Sequence, residues 1–128
     1  MSSRFSSRDR VRSFGFALRG LGYVLRSEHN AWIHLAASVA VIALAAALRV
    51  SLHDWCWLIV AIAAVWCMEA LNTAIERLAD ALSAEPNPLI AQAKDAAAGS
   101  VLVAAVGAAL IGLLILGPPL WSWLSGPH

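Results

Sequence analysis

The chain has 128 residues, a length that suits one domain. Hydrophobic residues make up 60% of it and charged residues 13%, against about 45–50% and 25% in soluble proteins, so the composition is that of a membrane protein. A net charge of +1, with no finger, recognition-helix or RNA-binding signature, excludes nucleic acid as a partner.

Met1 to Arg12 is polar and basic and reads as a tail. An arginine-rich start without a short apolar core and cleavage site gives no reason to expect a removable signal peptide. From Ser13 to Ser27, Phe14, Ala17, Leu18, Leu21 and Leu25 recur at helical spacing, with Arg19 and Arg26 off the centre of that face. The pattern fits a helix lying along a membrane surface. Ser27 to Asn30 is a short polar junction. Ala31 to Arg49 then supplies a first span, apolar except for His34, Ser38 and its terminal arginine.

A second apolar run opens at Trp55 after a brief polar turn and extends to about Leu82, its last part emerging into water. Cys56 and Cys67 lie on it as packing residues, since they form no metal-spaced cluster. Within this run Glu69, Asn72, Glu76 and Asp80 stand at offsets of 0, 3, 7 and 11. At ~100° per residue their side chains fall within roughly 80° of one another, a single polar stripe. Carboxylates are costly near lipid, so the stripe needs protein, water, metal or substrate to face.

Ser83 to Ala91, with Pro86 and Pro88, reads as a loop. The third span covers residues 93–117, where Pro118-Pro119 is expected to stop it and leave 118–128 as a tail. Gly99, Gly107 and Gly112 offer small surfaces for close helix packing. Trp55, Trp57, Trp121 and Trp123 suit one interfacial belt. The result is an all-α membrane protein: a basic tail (1–12) and a domain (13–117) of a surface helix and three transmembrane helices. Six arginines precede the first span, Arg77 and Lys94 fall between the second and third, and only Arg49 lies opposite. The positive-inside rule places the N-terminus in the cytoplasm and the C-terminus outside.

This topology brings Glu28, Glu69, Glu76, Asp80, Lys94 and Asp95 toward the cytoplasmic interface. Glu69 is deepest, roughly 10 Å inside its edge, in surroundings that fit it to act as a proton acceptor. Glu76 can meet Glu28, and two carboxylates with water and phosphate oxygens suit Mg²⁺. Lys94, near the start of its helix, favours a polyphosphate; Asp95 can bind a ribose, a base amine or metal-bound water. His29 and His34 lack a matching ligand triad for zinc. No P-loop or soluble protein-kinase signature is present.

The run Glu69-Ala70-Leu71-Asn72-Thr73-Ala74-Ile75-Glu76, followed by Asp80 and then Ala93-Lys94-Asp95, resembles the bacterial integral-membrane diacylglycerol and undecaprenol kinases. The resemblance runs from about Phe14 to Gly117. It implies an ATP-dependent lipid kinase of the bacterial cytoplasmic membrane, a homotrimer with sites shared between subunits. Diacylglycerol or undecaprenol would enter from the bilayer and MgATP from the cytoplasm. By resemblance Glu69 is the general base, Glu28 and Glu76 hold metal, and Lys94 neutralises ATP phosphate. Asn72, Asp80 and Asp95 position nucleotide, metal or neighbouring polar groups. Phe14-Gly-Phe-Ala-Leu-Arg-Gly20 and Asn87-Pro88-Leu89 look closer to the undecaprenol-kinase branch, although Trp32 stands where that branch is expected to carry a basic residue. The competing class is a membrane scaffold or small ion-conducting oligomer that keeps the acids for structure.

Overall fold

A computed structural model describes residues 7–82 and 85–126. Within them the chain is all-α, with four helices: α1 (Ser7–Ser27), α2 (His29–Ala47), α3 (Leu52–Leu82) and α4 (Pro88–Ser125). The last three are long and apolar enough to cross a membrane. Arg4 of the expected tail, and Ser83 and Ala84 of the expected loop, lie outside the described residues.

α1 begins at Ser7, so it takes in Arg10 and Arg12 as well as the expected amphipathic stretch. Phe14, Leu18 and Leu21 are exposed along it, the apolar side that a surface helix lays into lipid. Its end is anchored. Val24 is buried, and the Arg77 guanidinium of α3 lies 4.9 Å from the centre of the Tyr23 ring, a cation–π contact. Glu28 alone is extended between α1 and α2, while its N–H still donates to the Val24 carbonyl at 3.1 Å. The chain therefore turns a corner on one residue, and that residue is an acid.

α2 ends in a Schellman arrangement: Val50 N–H donates to Ala45 O and Arg49 N–H to Ala46 O, both at 3.2 Å. The residue in the left-handed position is Arg49, at φ 51°, where a Cβ costs roughly 1–2 kcal/mol. Arg49→Gly should therefore leave activity in place and raise the temperature of half-inactivation in detergent; a lower value would contradict the strain. α3 starts on a reciprocal cap. Ser51 Oγ donates to Asp54 Oδ2 at 2.7 Å and accepts from Asp54 N–H at 3.2 Å.

α3 and α4 form the main packing pair, and toward the start of α3 and the end of α4 Ala45 of α2, Leu58 and Leu116 make a buried cluster with Trp55 against it. Lipid tails are as apolar as leucine, so inside a bilayer this contact rests on close packing more than on water exclusion. Gly99, Gly107 and Gly112 face open space in the protomer, so the small surface they offer is unused within it. One expectation is corrected here. Cys56 and Cys67 are free and exposed instead of packed.

α4 also departs from the sequence reading at both ends. Asn87 caps it by accepting from Leu89 N–H at 2.9 Å, with Pro88 in the first turn where its missing N–H costs nothing. At the far end it continues through Pro118 and Pro119 to Ser125. Each proline removes one backbone donor, a loss that helices at membrane depth accommodate by local adjustment. Leu116, buried just before the pair, holds the helix where the ladder weakens.

Candidate active site

The acidic stripe of α3 faces the space between α2 and α4. A cavity of about 290 Å³ is lined there by Glu28, His34, Glu69, Asn72 and Glu76, with Ala98, Val101, Leu102 and Ala105 closing the α4 side. Glu28 enters from the α1–α2 corner; the other acids arrive through helical periodicity alone. Glu69 is 2% exposed and Asn72 8%, while Glu76 is half-buried and Asp80 exposed. The stripe thus grades from dry to wet along the helix.

Hydrogen bonds fix its middle. Asn72 Nδ2 donates to Glu76 Oε1 at 3.0 Å, and Thr73 Oγ1 donates to the Glu69 backbone carbonyl at 2.9 Å. The Glu69 carboxylate is left to the cavity, its Oε2 3.7 Å from His34 Nε2. Asn72 Oδ1 is buried and has no hydrogen-bond partner among the described residues. An orphaned buried acceptor beside two carboxylates is the kind of oxygen a hard cation or its water satisfies. Among the described residues no group of three or more His, Cys, Asp or Glu stands ready to hold a metal. Mg²⁺ does not need one, because it commonly takes one or two carboxylates and fills the rest with water and phosphate.

Asp80 and Lys94 form a pair of their own, Nζ to Oδ1 at 3.0 Å, bridging α3 to α4 one turn beyond Glu76. Because α4 starts at Pro88, Lys94 lies nearly two turns inside it. The unpaired backbone donors belong to the first turn, so Lys94 acts as a side-chain charge without the helix-end donors expected beside it. Asp95 is exposed and joins neither cluster among the described residues. The structure therefore unites Glu28, Glu69, Asn72 and Glu76, adds Asp80 and Lys94 as a neighbouring pair, and leaves Asp95 apart.

His34 is the site residue that the sequence reading set aside when it found no zinc triad. Its signal was present: an ionisable group inside an apolar span. A second, apolar cavity of about 520 Å³ runs between α2, α3 and α4 toward Leu116, and it shares Ile33, His34 and Ala105 with the polar one. The two cavities meet at the depth of Glu69.

Residues 15–116 match the prokaryotic diacylglycerol kinase family. The chain belongs to that family. It is 40% identical over 109 residues to an undecaprenol kinase of Bacillus subtilis (strain 168), covering 85% of this chain and 89% of that one. It is also 37% identical over 111 residues to a diacylglycerol kinase of Synechocystis sp. (strain ATCC 27184 / PCC 6803 / Kazusa), covering 86% of this chain and 63% of the longer relative. As a family member the protein is a multi-pass membrane lipid kinase, and its activity is ATP-dependent phosphorylation of a lipid hydroxyl. The scaffold or channel alternative falls with that assignment.

Proposed function

We propose that this kinase transfers the γ-phosphoryl group of MgATP to the hydroxyl of a membrane lipid at Glu69, with undecaprenol the favoured acceptor. The observation that carries the reading is the meeting of a polar, acid-lined cavity with an apolar groove beside a buried carboxylate. Such a junction suits a reaction whose two substrates arrive from different solvents.

Phosphoryl transfer needs an in-line hydroxyl and compensated charge more than covalent help from the protein. Glu69 takes the hydroxyl proton as the lipid oxygen bonds to the γ-phosphorus and the bond to the ADP oxygen breaks, its electron pair leaving with ADP. Glu28 and Glu76 would hold Mg²⁺, with Asn72 steadying Glu76; bound there, the ion supplies charge compensation for the phosphates. Lys94, steadied by Asp80, faces the same polyphosphate, and Asp95 serves the nucleotide. The basic residues favour a cytoplasmic N-terminus and an outer C-terminus in the bacterial cytoplasmic membrane. The reading includes a homotrimer with shared sites: the open small-residue surface of α4 and the detached Asp95 suit completion by a neighbouring copy.

The preference for undecaprenol rests on similarity to the Bacillus kinase over nearly the whole of both chains. Its test is a competition in nanodiscs, with diacylglycerol and undecaprenol supplied together with MgATP and both products counted by mass spectrometry. Undecaprenyl phosphate is expected to predominate. Predominant phosphatidic acid would reverse the acceptor assignment, and dependence of either product on Mg²⁺ tests the metal.

A further inference from the structure

Glu69 sits in an unusual setting for a carboxylate. It is almost fully buried, the α4 wall of its cavity is apolar, and the other acids nearby, Glu28 and Glu76, repel it. A buried charge needs a compensating partner. Among the described residues the basic group against it is His34, whose Nε2 lies 3.7 Å from Oε2. That separation exceeds the 2.7–3.2 Å of an N–H···O hydrogen bond by about half an ångström. The contact can orient the carboxylate without tying up the lone pairs that must accept a proton.

The position of His34 is itself fixed. Ser38 Oγ donates to the His34 carbonyl at 2.7 Å and accepts from Trp66 Nε1 at 3.2 Å. Trp66 belongs to α3, three residues before Glu69. A side-chain tie thus locks the turn of α2 that carries His34 to the turn of α3 that carries Glu69. His34 also lines both cavities, at the boundary between the acid-lined space and the apolar groove. None of the metal and phosphate roles requires a histidine at that boundary.

We propose that His34 is a positioning residue: from α2 it holds Oε2 of Glu69, so that the other carboxylate oxygen meets the acceptor hydroxyl where the two cavities join. The inference rests on Glu69 acting as the base.

The test compares His34→Ala, His34→Gln, Glu69→Gln and the double variant Glu69→Gln/His34→Ala in nanodiscs with MgATP and the acceptor. A displacement of about 1 Å can cost on the order of 100-fold, so His34→Ala should lose about 10–100-fold in kcat with the KM for MgATP nearly unchanged. His34→Gln, which keeps an N–H near the same place, should recover most of the loss. The double variant should be no slower than Glu69→Gln alone, because two residues acting as one unit are not additive. Wild-type kcat in His34→Ala, no recovery by Gln, or a further multiplicative loss in the double variant would each overturn the proposal. Should His34→Ala not fold, His34→Asn read against His34→Gln decides: the shorter amide should be at least tenfold slower, and equal rates overturn it. A fully active Glu69→Gln would instead remove the base assignment itself; an inactive Glu69→Gln beside an unaffected His34→Ala removes only the role of His34.

Discussion

Glu69→Gln is expected to lower phosphoryl transfer by about 10²–10⁴-fold, the usual share of a general base, while the helices and membrane insertion persist. Gln nearly matches Glu in volume, so the 2% exposed site stays filled. The change replaces a carboxylate buried in a cavity it shares with Glu28 and Glu76 by a neutral amide. Stability should hold or improve as turnover disappears, a combination that a structural glutamate would not give. Initial rates at saturating MgATP and acceptor, with circular dichroism on the same preparation, provide the check. Turnover within threefold of the parent would end the assignment.

The second large effect is expected at Lys94. The acids gathered at this end of the molecule include Glu28, Glu69, Glu76 and Asp80, and a polyphosphate brings more negative charge to them. Arg77 is on the same helix but turns to the Tyr23 ring, whereas Lys94 reaches Asp80 of the stripe at 3.0 Å. Removing one preorganised charge-stabilising group typically costs about 10²–10³-fold, and Lys94→Ala should fall in that range in kcat/KM for MgATP. The KM for the lipid should change little, because the apolar groove does not include Lys94. Asp80→Asn should cost less, since it loosens the lysine without deleting it. Steady-state kinetics with each substrate varied in turn tests the pattern; an equal loss in lipid KM would mean that Lys94 holds the fold.

Features within a helix were legible from periodicity. The offsets of Glu69, Asn72, Glu76 and Asp80 gave one face, and its first three residues do front a cavity. Register between helices was not legible, because nothing in the spacing of α2 says which of its turns meets Glu69. His34 was therefore passed over, and the pairing of Asp80 with Lys94 was not anticipated. Pro118-Pro119 misled for a different reason. Proline is a reliable stop in water, but α4 runs on through the pair, with Leu116 buried just before it. The family motif named the acids and the lysine together, and Asp95 is the motif residue that joins neither cluster among the described residues.

The unequal helix lengths carry one more meaning. At 1.5 Å per residue the 19 residues of α2 reach about 28 Å, while the 31 of α3 and 38 of α4 reach about 46 and 57 Å. A bilayer's hydrocarbon is ~30 Å thick. α2 alone matches it, with the Glu28 corner at one end and the Arg49 turn at the other. It works as a ruler set across the oil. On the proposed topology Glu28 stands at the cytoplasmic waterline, and α3, tied to the ruler through Trp66 and Ser38, keeps Glu69 buried while Asp80 stays exposed. The host membrane's thickness is in this sense one of the dimensions of the active site.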